Sequence, residues 1–90
     1  MNMSERRLQI QNKLGLHARP AALLVETASK FDAEIVVIKN GDTINAKSIM
    51  GVLMLAAEQG SELLFKAKGK QADAALDAIE KLFKEKFHEE

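Results

Sequence analysis

No cysteine occurs in these 90 residues, which excludes a disulfide framework, a thiolate metal site and a thiol nucleophile. A chain without cysteine suits a reducing compartment, so the expected location is cytoplasmic. Aromatic residues are scarce: four phenylalanines make up the whole aromatic content, too few for a base-stacking platform. Net charge is missing as well. Thirteen basic side chains balance 13 acidic ones, so no global field draws the chain to nucleic acid or to an anionic membrane. No apolar run approaches membrane-spanning length, and residues 1–9 are polar and charged without an apolar signal core. His17 and His88 are the only histidines, and no carboxylate pair accompanies His17 in sequence, so a metal centre or a hydrolytic site has little to be built from. The expectation is a chain with no metal, no cofactor, no nucleic-acid partner and no membrane insertion.

What is present suffices for one compact core. Hydrophobic residues make up 47% of the chain, although a protein this short buries only about 60–65% of its unfolded surface. No linker, internal repeat or low-complexity segment interrupts it, so residues 1–90 are expected to form a single domain. Leu8 and Ile10 alternate with Arg7, Gln9 and Gln11 as a half-buried first strand. A helix follows over residues 18 to about 30, with Leu23, Leu24, Ala28 and Phe31 toward the core. The β-branched run Glu34-Ile35-Val36-Val37-Ile38-Lys39 is the clearest strand, and Asn40-Gly41 predicts a hairpin to Thr43-Ile44-Asn45. Ser48 is a good N-cap for a short helix over residues 49 to about 58, ended by Gln59-Gly60. A fourth strand over residues 62–68 and a long amphipathic helix over residues 71 to about 87 complete the order β-α-β-β-α-β-α. That order permits a ferredoxin-like sheet with an added helix.

The chemically suggestive stretch is Asn12-Lys13-Leu14-Gly15-Leu16-His17-Ala18-Arg19-Pro20-Ala21-Ala22. Gly15 allows a turn, and apolar residues at helical spacing from Ala21 place His17 where a helix begins. Pro20 suits a helix entrance, because the first turn has no intrahelical use for its N–H groups. Those spare N–H groups and the helix dipole form an anion site beside an imidazole, and Arg19 adds a fixed positive charge. A histidine so placed can attack a phosphoryl group and hold it as phosphohistidine. Taken alone, a lone histidine is more often a surface or capping residue.

Gly15-Leu16-His17-Ala18-Arg19-Pro20-Ala21 resembles the active-site signature of HPr, the phosphocarrier family of the phosphoenolpyruvate-dependent phosphotransferase system. The resemblance implies an α+β fold, an open-faced β-sandwich whose four-stranded antiparallel sheet, in order 1-4-2-3, is covered on one face by three helices. It implies that Nδ1 of His17 accepts a phosphoryl group from enzyme I and passes it to an enzyme IIA-type acceptor. Arg19 and the backbone N–H of Ala18 would offset charge on the phosphoryl oxygens. Such a protein is a monomeric, stoichiometric intermediate rather than a turnover enzyme.

A second segment points the same way. The helix after Ser48 has apolar residues all round, so with Val52, Leu55 and Ala56 inward, Ile49, Met50 and Leu53 are expected outward as a docking patch. Lys47-Ser48-Ile49-Met50-Gly51-Val52 is similar to the regulatory segment of HPr proteins whose serine is modified by HPr kinase/phosphorylase. By that likeness Ser48 is the regulatory residue, and Leu16, Pro20, Lys47, Ile49, Met50 and Leu53 dock partners. Phe31-Asp32-Ala33-Glu34, Leu53-Met54-Leu55 and Leu82-Phe83 with Phe87 look instead like NPr, the carrier of the nitrogen-related branch. An RNA-binding module with the same element order would need aromatic residues on its central strands, where only Phe65 stands.

Overall fold

Alternation of burial along the strands decides which face of the sheet is covered. In the computed structural model, which describes residues 3–89, β1 is Met3–Gln9, β2 Glu34–Lys39, β3 Asp42–Asn45 and β4 Glu62–Lys68. Leu8, Ile35, Val37, Leu63, Phe65 and Ala67 point to one side and are buried, while their neighbours face the other side. Three helices lie over the buried side: α1 (Ala18–Ser29), α2 (Ile49–Met54) and α3 (Ala72–Lys84). Helix α3 packs on β1 and β4, α2 rests against β3, and α1 lies against both other helices. All strand pairs are antiparallel, in the order β1-β4-β2-β3, so β4 is central between β1 and β2. This is the open-faced arrangement that the family resemblance implied.

The β2–β3 connection is the hairpin that Asn40-Gly41 signals, with both residues at positive φ (50° and 87°), as a two-residue type I′ turn requires. The core closes with Phe65 edge-on to Phe83, centroids 5.6 Å apart, and Phe83 against Phe87 at 4.9 Å. Fully burying side chains of this kind stabilises a fold by about 1.5–3 kcal/mol each.

Four boundaries differ from those read in the sequence. Strand β1 begins at Met3 and pairs with β4 from its first residue, and Ile10 lies just beyond its end. Its first half carries no apolar alternation because the inward positions are polar: Ser4 donates to Asp73, and Arg6 reaches Asp77 (2.7 Å) and Glu80 (2.9 Å) on α3. The hydrogen bond to Asp77, helped by Glu80, holds the Arg6 guanidinium even more firmly protonated than usual, against the opposing effect of burial. In α1, Leu24 and Ala28 are buried, whereas Leu23 and Phe31 are only partly covered and Pro20 and Ala21 take inner positions. Helix α2 stops at Met54, four residues short of expectation, because Ala56 turns to φ 50°. Ala56, expected inward, is therefore exposed, and Ala57 is buried in its place. Helix α3 ends at Lys84, and Lys86, Phe87 and His88 form a left-handed turn with φ of 53°, 54° and 62°.

Candidate functional site

The loop between β1 and α1 is held from within. Asn12, 1% exposed, donates from Nδ2 to the Gly15 carbonyl at 2.7 Å, and the Gly15 N–H returns to the Asn12 carbonyl at 3.1 Å. Gly15 has φ 69°, and a Cβ there would meet the Ala57 carbonyl oxygen. That carbonyl instead accepts the Leu16 N–H at 2.8 Å, tying the loop to the end of α2. Leu14 is left exposed on the outer side.

The tie sets His17 at the N-cap of α1 with φ −80° and ψ −169°. Its carbonyl starts the helix by accepting the Ala21 N–H at 2.9 Å, but its ring makes no capping bond and turns outward, with the side chain 37% exposed. Pro20 brings no N–H, so the unsatisfied donors of the first turn are those of Ala18 and Arg19. Arg19 is exposed and makes no ion pair among the described residues. On the ring, Nε2 lies 2.8 Å from Oε2 of Glu89, while Nδ1 has no hydrogen-bond partner among the described residues. One nitrogen of the imidazole is occupied and the other is open at the positive end of a helix whose first turn carries Arg19. That arrangement leaves Nδ1 free to attack an electrophilic centre that carries anionic oxygens. Among the described residues no cluster of three or more His, Asp or Glu could hold a metal ion, and no helix is long and apolar enough to cross a membrane.

A family profile described as the PTS HPr component phosphorylation site matches residues 4–85. The chain belongs to the HPr family. It is 51% identical over 83 residues to the phosphocarrier protein HPr of Treponema pallidum, spanning 92% of this chain and 94% of that one. It is 47% identical over 89 residues to the phosphocarrier protein NPr of Shewanella violacea, spanning 99% of this chain and 98% of that one. The crystal structure of HPr-C-His from Thermoanaerobacter tengcongensis superposes with a TM-score of 0.93 at 47% identity, over 97% of this chain and 98% of that one. The chain is thus an HPr-family phosphocarrier protein of the phosphotransferase system.

The HPr fold brings some of the remaining candidates together and separates others. An open hollow of about 670 Å3 joins His17 to Leu53 and Ala56, with Leu14 and Gln59 on its rim. Ile49, Met50, Leu53 and Met54 are exposed on α2, whereas Val52 and Leu55 face the core. Two residues expected on the docking surface are inside instead. Leu16 is 3% exposed because its N–H is drawn to Ala57, and Pro20 is fully buried on the inner side of α1. Lys47 is at the other end of the molecule's helical layer, its Nζ donating to the Phe31 carbonyl at 3.0 Å. A 12-residue helix, about 18 Å long, separates Phe31 from His17. Ser48 caps α2 by accepting the Gly51 N–H at 3.1 Å.

Sequence reasoning left Met54 unassigned and missed Leu14, both of which extend the apolar surface, and it missed Asn12 and Glu89, which brace the histidine. For Asn12 the only signal is that asparagine is a common loop residue. For Glu89, in a charged stretch with no periodicity, none exists.

Proposed function

We propose that His17 is the phosphoryl acceptor of this HPr-family carrier, with Nδ1 as the nucleophile. The observation that carries the reading is the asymmetry of the ring, whose Nε2 is bound to Glu89 while Nδ1 is open at the start of α1. An ordinary imidazole is largely neutral near pH 7 and so has a lone pair to give. As the Nδ1–P bond forms, the bond between phosphorus and its atom on phosphorylated enzyme I breaks, and the group passes later to an enzyme IIA-type acceptor. The N–H groups of Ala18 and Arg19 and the Arg19 guanidinium face the phosphoryl oxygens. Water reaches the site, so the phosphorylated form is not held too deeply to be passed on. The protein acts in the cytoplasm as a monomeric stoichiometric intermediate without a catalytic cycle of its own.

Partners dock on the apolar surface of Leu14, Ile49, Met50, Leu53 and Met54, which adjoins His17 through the shared hollow. Ser48 regulates that docking. A phosphate placed there by HPr kinase/phosphorylase keeps an acceptor at the helix start and adds roughly −1.5 to −2 charges beside Ile49.

The test is intact mass after incubation with enzyme I and phosphoenolpyruvate, repeated after brief acid treatment and with His17→Ala. One acid-labile phosphate, absent from the variant, is expected. No phosphate with a competent enzyme I control, or an equal gain by His17→Ala, would overturn the reading.

A further inference from the structure

We propose that Glu89 is a positioning residue for His17, fixing the imidazole proton on Nε2 and keeping Nδ1 as the bare nitrogen. The proposal rests on the reading of His17 as the phosphoryl acceptor. An ionised carboxylate only accepts hydrogen bonds, so the 2.8 Å contact from Oε2 to Nε2 places the proton on Nε2 and the lone pair on Nδ1. Without that partner the two nitrogens of a half-exposed imidazole compete for the proton, and part of the population presents Nδ1–H, which cannot attack phosphorus.

The carboxylate is itself held. Its second oxygen accepts the Asn12 Nδ2–H at 3.0 Å, and the same Asn12 amide is locked to the Gly15 carbonyl. The Glu89 side chain is 16% exposed, less than the histidine it contacts. One buried amide therefore orients both the loop that presents His17 and the carboxylate that meets its ring.

The backbone that delivers Glu89 is an expensive one. Lys86, Phe87 and His88 are all left-handed, a conformation that costs about 1–2 kcal/mol for each residue with a side chain. Phe87, 1% exposed and packed on Phe83, anchors the turn, and the Glu89 N–H closes it onto the Lys86 carbonyl at 2.9 Å. A strained turn persists where its surroundings over-determine it, and its outcome here is to bring Glu89 to His17 at the start of α1. Lys13, Arg19 and His88 line the hollow around Glu89, and none forms an ion pair with it among the described residues. Of the basic groups around it, the carboxylate contacts the His17 ring alone among the described residues.

During transfer the consequence is electrostatic. When Nδ1 bonds to phosphorus and Nε2 keeps its proton, the imidazole becomes a cation, and Glu89 lies against the nitrogen that carries the proton. No proton moves, and the charge of the ring is met by a carboxylate already in place.

The experiment compares the intact chain with Glu89→Ala and Glu89→Gln by two readouts. Nitrogen-detected NMR of His17 at about pH 8.5, where imidazoles are neutral, reports the tautomer without any phosphate present. Rapid-quench transfer from phosphorylated enzyme I reports the rate. The wild type is expected to hold the Nε2–H tautomer. Glu89→Ala is expected to mix the tautomers and slow transfer roughly tenfold, about twofold from the mixing and the rest from losing the carboxylate that meets the ring's developing charge, well short of the roughly 10⁴-fold cost of the wrong tautomer in a buried triad. Glu89→Gln, which keeps an acceptor and loses the charge, is expected to preserve the tautomer and recover part of the rate. Circular dichroism confirms that each variant is folded, and the glutamine variant carries the test if the alanine variant is not. An unchanged tautomer in Glu89→Ala, or a changed tautomer with an unchanged rate, overturns the proposal while the acceptor reading stands. A wild type that takes no phosphate on His17 overturns the acceptor reading instead.

Discussion

Gly15→Ala probes the closest approach in the site, and its cost can be worked from the structure. At φ 69° the residue is left-handed, which costs about 1–2 kcal/mol once a Cβ is present. The added Cβ would also fall on the Ala57 carbonyl oxygen and sit 3.0 Å from Glu58 Cα and 3.3 Å from the Ala57 carbonyl carbon. These are backbone atoms that no side-chain rotation can clear, so the loop must lift. Lifting it breaks the Leu16 N–H bond to Ala57 and strands a buried amide, worth about 1–3 kcal/mol. The sum is about 2–5 kcal/mol, a fall in Tm of at least about 8 °C for a domain of this size. Gly41→Ala is the control. Gly41 has φ 87° and no atom within 4 Å of where its Cβ would be, so it carries the backbone cost alone. Urea denaturation of both variants, with equal slopes, gives the difference directly. Equal losses for Gly15→Ala and Gly41→Ala would refute the idea that the loop is clamped to the end of α2.

Substitutions at two further positions test the elements that flank the site. Ser48→Ala should cost about 1 kcal/mol through loss of the α2 cap, while Ser48→Asp, which keeps an acceptor, should stay within roughly 0.5 kcal/mol of wild type by urea denaturation. Phe87→Ala should cost about 3–5 kcal/mol from cavity formation beside Phe83. At temperatures where that variant remains folded, the same NMR measurement should show His17 released from Glu89; a retained bond would mean that Phe87 does not anchor the turn.

Most of the sheet was legible because its inward positions are apolar and its hairpin carries a turn dipeptide. The first half of β1 was not, because Ser4 and Arg6 meet α3 through polar contacts that leave no hydrophobic period. The early end of α2 was hidden for a different reason. Alanine has no side-chain hydrogen bond to favour positive φ, yet Ala56 adopts it, and Ala57 turns inward and accepts the Leu16 N–H. The position of His17 at a helix start followed from local pattern alone, since Gly15 and Pro20 bracket it. Which of its neighbours would face a partner did not follow. Leu16 and Pro20 flank the histidine in sequence but point inward, and proximity along a chain says little about direction across a helix start. Glu89 was beyond reach altogether, since its approach depends on three successive left-handed residues with ordinary side chains.

The central place of β4 has a consequence for how the chain assembles. Met3 pairs with Lys68 and Gln9 with Glu62, so the β1–β4 ladder joins residues more than half the chain apart. The β2–β3 hairpin needs only residues 34–45 and can form from local contacts. Among the described residues, strand β1 has no partner on that hairpin and pairs in the sheet with β4 alone, which also binds β2. During synthesis β1 must therefore wait, unpaired, until β4 (residues 62–68) begins to emerge. Closing so long a loop is entropically slow, so the rate at which this protein reaches its native state should depend on β4 far more than on the early segment that carries the histidine.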